Sequence, residues 1–405
     1  MGRPMIGVSL NYRLHCWGFL WGREMKEAGA GNLGLRDQRL ALHWLQENLP
    51  AFGGDPSRVT IWGESSGANS VGTHLVAYGG RDDRLFRAAI GQSGAPSLYH
   101  RYQTVEDWQP YFDAIAVAAG CHYPHRRLDC LRTVPTGALS KVFHSSLTRD
   151  ALFGPVIDGD FVVQSATTQV RRGAFVKVPY LLGGNANEGV TFARDGIGTP
   201  GEFTAMLRSW GLDARTCQKL EEMYPATESQ EYRAQVVTGD WKVHSSRRLA
   251  SQMWAAYGVP SYAYIFNISS DILPASHFTE VAFAFDNVQG LGYRNVPSLD
   301  FTMDPIAGNW RLSEVADLIS RMWISFITTK SPNHSGGELC YSCYRVCVYL
   351  IILLVFEGYW PAYNVDQPQD MVFAGNETHL AYSILDTFRA EGIELLADCL
   401  DPLGR

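Results

Sequence analysis

Ser65 stands in Gly63-Glu64-Ser65-Ser66-Gly67, a G-x-S-x-G pattern. A β-branched stretch, Val59-Thr60-Ile61-Trp62, precedes it, and the small, polar run Ala68-Asn69-Ser70-Val71-Gly72 follows. Strand, sharp turn and helix start in that order let a serine act as a nucleophile. The turn lifts the hydroxyl clear of the backbone, and glycines are needed where the chain crowds itself. The helix that follows aims free N–H groups at negative charge developing beside the hydroxyl. A chance match would be no more than a structural glycine turn. Here the strand, the helix start and the upstream Phe52-Gly53-Gly54-Asp55-Pro56 turn all agree on Ser65 as a catalytic nucleophile.

A serine hydroxyl needs a general base in hydrogen-bond reach, and the base needs an acid to orient it. On a sheet, all three must lie just past strand ends to converge. Of eleven histidines, His43 and His74 fall on expected helices, and His122, His125 and His144 on an irregular stretch. His277 follows a strand, sits in the small-residue turn Ala275-Ser276-His277 and comes late in the chain. Among acids, Glu188 follows a strand directly, between Asn187 and Gly189. Its plainer reading is a loop carboxylate capping a helix. Asp158, in Val156-Ile157-Asp158-Gly159, is a rival better suited to a turn.

The elements that would carry these residues alternate. Strands are expected over 5–12, 59–62, 86–92, 178–184 and 261–267. Helices are expected over 35–48, 68–77, 313–329 and 379–397, with helical stretches within 202–256 and a mostly helical, irregular region over 103–175. Leu35, Leu42, Leu45 and Leu49 fall near one face at helical spacing. Strands alternating with helices predict an α/β class, a parallel sheet covered on both faces. Such sheets bind ligands at the carboxyl ends of their strands, where Ser65 would sit.

The chain of 405 residues is 46% hydrophobic and 19% charged, an ordinary globular composition with ample core. A formal net charge of −7 gives no basic excess and argues against a nucleic-acid partner. The N-terminal residues lack the apolar core and cleavage site of a signal peptide, and Ile6 breaks a myristoylation pattern. Cys121 and Cys130, nine positions apart among eight cysteines, suit either a disulfide in a secreted protein or two free thiols. Sequons at Asn267, Asn333 and Asn376 carry meaning only in the secretory pathway.

The stretch Phe52 to Gly67 resembles the type-B carboxylesterase signature at every defined position. Asn11-Tyr12-Arg13, Gly31 to Gln38, Gln92-Ser93-Gly94, Asn187-Glu188-Gly189 and His277-Phe278-Thr279-Glu280 resemble the same group of carboxylesterases, cholinesterases and lipases, with wording nearest its secreted fungal members. The resemblance spans nearly the whole chain. It implies a single α/β-hydrolase domain over 1–405 and an ester hydrolase working through an acyl-enzyme. Ser65 would be the nucleophile, Glu188 the orienting acid, His277 the base and the Ser66 N–H an oxyanion donor. Ser93 and Glu64 would be supporting residues behind them. It further implies a Cys121–Cys130 disulfide, no cofactor or metal, a small-molecule or lipid ester as substrate, and an extracellular setting for the full-length protein. A non-catalytic binding relative on the same fold is the alternative; such relatives usually lose triad residues, and all three are kept here. Phe153, Phe192 and Phe283 are candidate pocket aromatics, with ordinary core as the plainer reading of each.

Two departures from the group's pattern carry expectations. Its members have a segment before the Asn-Tyr-Arg strand that holds a signal peptide, the first strands and a glycine-rich oxyanion loop. No such loop occurs in this sequence, so the expected sheet lacks its N-terminal strands and the elbow lacks two oxyanion donors. Losing one donor costs about 2.7–4 kcal/mol and losing two roughly a million-fold in rate. The expectation for the chain as written is a triad without a working active site. The second departure is residues 337–358, which hold Cys340, Cys343, Cys347 and the apolar run Val346 to Phe356. The run is too short to span a membrane, and its cysteines lack the partner cluster of a metal site. A translated intron interrupting a short loop is the favoured reading.

Overall fold

A computed structural model describes residues 4–226, 228–269, 275–291, 306, 309–333, 359–375 and 378–405. The stretch 337–358 and the sequon at Asn376 lie outside the described residues. Six strands form one sheet in chain order: β1 (Thr60–Glu64), β2 (Ala88–Gln92), β3 (Tyr180–Asn185), β4 (Ser261–Phe266), β5 (Gln369–Phe373) and β6 (Ala381–Leu385). The first five run parallel, and β6 returns antiparallel to β5. With helices packed on both faces, this is an α/β-hydrolase fold.

Every residue of β2, β3 and β4 is buried, as expected where both faces are covered. Neighbouring residues point to opposite faces. Ile90 and Leu181 pack with Ile319, Met322, Trp323 and Phe326 of helix Trp310–Thr329. Ala89 and Leu182 pack with Leu42 and Leu45 of helix Leu33–Asn48, Val71 and Leu75 of helix Ser66–Gly80, and Trp254 of helix Ser245–Ala256. The leucine spacing read from the sequence is therefore the core face of helix Leu33–Asn48.

Two expectations are corrected. Residues 5–12 are not a strand. They join no sheet among the described residues and leave Met5, Ile6, Val8 and Leu10 exposed; an apolar run becomes a strand only when another strand's edge satisfies its backbone groups. Two short helices, His15–Phe19 and Arg23–Glu27, follow it. The helix expected over 379–397 is instead β6 followed by helix Ala390–Asp398. Arg389 between them has φ +44°, which a continuous right-handed helix does not tolerate. Strand β5 was not foreseen. Its Asp370 is fully buried and held by Arg247 at 2.7 Å, so a charge stands where an apolar residue marks a central strand.

Cys121 and Cys130 form a disulfide with Cα atoms 5.6 Å apart. Asn333 gives its side-chain amide to the Trp360 carbonyl at 2.8 Å and accepts the Trp360 N–H at 2.8 Å, so this sequon is in structural use. Asn267 is exposed just after β4. Among the described residues, no helix is long and apolar enough to cross a membrane.

Candidate active site

The carboxyl ends of four consecutive strands each deliver one of the residues singled out in the sequence. Ser65 follows β1, Ser93 follows β2, Glu188 lies three residues past β3, and His277 lies beyond β4. Because β1 to β4 are adjacent and parallel, their ends form one row, and residues far apart in sequence meet there.

Ser65 has φ +55° and ψ −120°, outside the regions a non-glycine residue adopts without strain. Its N–H donates to the Gln92 carbonyl at 2.9 Å, and its carbonyl accepts from Asn69 N at 3.0 Å, which starts helix Ser66–Gly80. The turn is so tight that a Cβ on Gly63 would sit 2.3 Å from the carbonyl carbon of Gly67. This is the physical reason for the first glycine of G-x-S-x-G; a Cβ on Gly67 would meet nothing within 4 Å. Ser66 is exposed as the first residue of that helix, where backbone N–H groups have no intrahelical acceptor. Ser93, with φ +53°, makes a second such turn at the end of β2.

Glu188 is fully buried. One carboxylate oxygen, Oε1, accepts from Ser93 Oγ at 2.6 Å and from Asn185 N at 2.7 Å. The other, Oε2, lies 2.6 Å from His277 Nδ1. Burial alone would raise the Glu188 pKa; the His277 ring, Ser93 and the Asn185 N–H outweigh it and hold the pKa below its ordinary value. Gly189 allows this placement, because a Cβ there would meet the Gln235 carbonyl oxygen at 1.7 Å.

His277 is also nearly buried, and burial pulls its pKa down. Glu188, Glu64 and Glu280 outweigh that and push it up to about 9. Its Nε2 lies 3.2 Å from Glu64 Oε1, at ion-pair distance but without hydrogen-bond alignment. Burial raises Glu64 to about 8, with Glu280 and Glu188 adding to the shift against the His277 ring. Among the described residues, no hydrogen bond joins Ser65 Oγ to His277.

The sequence left Glu280 and Asn185 without a role. Glu280 is buried three residues after His277 and accepts from Asn185 Nδ2 at 2.6 Å, Gln92 Nε2 at 3.2 Å and Ser93 Oγ at 3.3 Å. Asn185 links Ser93, Glu188 and Glu280 from the last position of β3. Glu280 was visible as the end of His277-Phe278-Thr279-Glu280, but nothing local marks it as buried.

Among the candidate aromatics, only Phe192 reaches the site, its ring 4.5 Å from that of His277. Phe283 packs on Phe266, and Phe153 on His15 and Trp108. Asp158 is a turn carboxylate held by Arg36 at 3.1 Å and Asn32 at 2.9 Å, away from these residues. His74 is buried against Gln38 at 3.0 Å, and burial lowers its pKa to about 3.

The model of the carboxylesterase family matches residues 2–383. Secreted lipase 1 of Botryotinia fuckeliana is 32% identical over 71% of this chain and 56% of its own length. Lipase 4 of Diutina rugosa is 41% identical over 48% of this chain and 37% of its own length. The chain thus spans less than two thirds of the length of these relatives. Among solved structures, EstA of Aspergillus niger aligns over 98% of this chain and 74% of its own with a TM-score of 0.77 at 24% identity. The carboxylesterase Est55 of Geobacillus stearothermophilus aligns over 94% of this chain and 74% of its own with a TM-score of 0.72 at 26% identity.

Proposed function

This chain belongs to the carboxylesterase family, and from that premise we propose that it hydrolyses carboxylic esters through a Ser65–His277–Glu188 triad and an acyl-enzyme. One observation carries the reading: the buried Glu188 carboxylate grips His277 Nδ1 at 2.6 Å on the row of strand ends that also bears the Ser65 elbow. Glu188 fixes the imidazole by Nδ1, so that Nε2, which also faces Glu64, is the nitrogen turned to the proton of Ser65. Nε2 takes the Ser65 proton as Oγ attacks the ester carbonyl. The N–H of Ser66 faces the oxyanion that forms. His277 then returns the proton to the departing alcohol, and water repeats the sequence in reverse on the acyl-enzyme. Ser93 and Asn185 hold Glu188 in place, and Glu280 in turn accepts from both of them. Relatives named as secreted lipases, together with the Cys121–Cys130 disulfide, support an extracellular setting and a small-molecule or lipid ester as substrate.

Two measurements test this. A fluorophosphonate probe should label Ser65, located by peptide mass spectrometry, whether or not turnover is fast. Hydrolysis of a short-chain 4-nitrophenyl ester is expected to be slow, because the elbow lacks two oxyanion donors, and Ser65→Ala should abolish what turnover there is. Labelling elsewhere, or activity that survives Ser65→Ala, would contradict the assignment.

A further inference from the structure

Lys242 lies one aromatic ring away from the His277 imidazole. Its Nζ sits 4.7 Å from the Phe192 ring centroid, and Phe192 in turn packs 4.5 Å from His277. A second ring, Tyr99, flanks the same ammonium at 4.7 Å. The backbone that presents it is a π-helical turn, Asp240–His244, a local widening often found where a helix serves a function.

What distinguishes this lysine is its lack of a counter-charge. Among the described residues, no carboxylate is within ion-pair distance of Lys242. The acid nearest in sequence, Asp240, is committed elsewhere: it binds Arg389 at 2.6 and 2.7 Å and the Tyr224 hydroxyl at 2.8 Å. The other charged or titratable groups acting on this spot, Arg405 and His100, bring no negative charge. Burial, together with the Arg405 guanidinium, lowers the Lys242 pKa, so the ammonium carries an unmet electrostatic demand. The two rings shield it on their faces without satisfying its N–H donors. The rest of the site is acidic, with Glu64, Glu188 and Glu280 all around His277. An anionic substrate group is repelled by these carboxylates and attracted toward Lys242.

We propose that Lys242 is a specificity-determining residue that pairs with a carboxylate carried by the substrate on the far side of the Phe192 ring from His277, so that the site favours half-esters of dicarboxylic acids over neutral esters. The proposal rests on the ester-hydrolase reading above. It assigns no covalent step to Lys242; the lysine acts by charge pairing from a partly buried position, where such a pair is stronger than in water.

The test separates binding from turnover. Ser65→Ala protein is titrated calorimetrically with monomethyl adipate, which is anionic, and with dimethyl adipate, its neutral counterpart. The expected preference for the anionic ester is at least about ten-fold, falling by a similar factor in a Lys242→Met background and returning in Lys242→Arg. Lys242→Gln replaces Lys242→Met if the latter does not fold by circular dichroism. Equal binding of the two esters, no binding of monomethyl adipate, or a preference unchanged in Lys242→Met overturns the proposal. Hydrolysis of both esters by the chain with Ser65 intact is measured in parallel. Anion preference without any turnover overturns the hydrolase reading alone, whereas turnover without a Lys242-dependent preference overturns this one alone.

Discussion

Glu64 and His277 meet at the mouth of the elbow, with Glu64 Oε1 3.2 Å from His277 Nε2. Glu188 holds the opposite nitrogen at 2.6 Å, so the imidazole lies between two carboxylates. Each favours the imidazolium, and together with Glu280 they overcome burial and push its pKa up to about 9. A general base must be neutral to accept a proton. For a neutral ester, kcat/KM should therefore climb with pH along an acid limb that ends near pH 9. Glu64→Gln removes one carboxylate and should move that limb to lower pH. A pH profile of both proteins checks this, and an unmoved limb counts against a role for Glu64 in setting the His277 pKa.

The same contacts tie stability to pH. The folded His277 pKa of about 9 stands above its ordinary 6.5, and that of Glu64, about 8, above its ordinary 4.5. In both cases the folded chain holds its proton more tightly than the unfolded chain. Stability from these two protons is fully present below about pH 4.5 and is lost as pH rises toward 9, while the lowered Glu188 pKa contributes in the opposite sense, only at the acid end. The melting temperature should fall across that window, and the fall should be shallower in Glu64→Gln. Thermal unfolding monitored by circular dichroism at fixed ionic strength measures it; equal slopes for the two proteins would contradict the assignment.

Arg247 is buried with Asp370 of β5 at 2.7 Å and Asp386 at 3.4 Å, and Arg248 also binds Asp386. Replacing Arg247 by Met leaves Asp370 without its counter-charge in the core. The expected loss is about 3–5 kcal/mol, far more than an exposed ion pair would give. Urea unfolding of Arg247→Met checks it, and a loss under about 1 kcal/mol would show that the carboxylates take up protons at little cost.

The Cys121–Cys130 disulfide closes a loop nine residues long in sequence separation. Removing that cross-link from the unfolded chain should lower stability by about 2–3 kcal/mol. The Cys121→Ser, Cys130→Ser double variant, compared with the parent under oxidising and reducing conditions, should show the deficit only against the oxidised parent. An equal midpoint for the oxidised parent and the variant would defeat the prediction.

The sequence by itself determined what depends on near neighbours. The Ser65 elbow needs only the strand before it, the helix after it and glycines where the turn crowds itself, all of it within Val59 to Gly72. Glu188 and His277 were legible for a similar reason: each follows an apolar strand, and the ends of parallel strands face one side. Residues 5–12 and 379–397 misled because apolar content does not say whether a partner edge is available or where a backbone turns left-handed. The tertiary structure alone decided which distant side chains meet. Arg247 and Asp370 are 123 positions apart, Glu280 and Asn185 are 95, and Lys242 reaches the neighbourhood of His277 only through Phe192. Such meetings follow from the order in which β1 to β6 lie side by side and from how far each helix is pressed onto the sheet. Local propensity carries neither quantity, because burial of the whole core sets both.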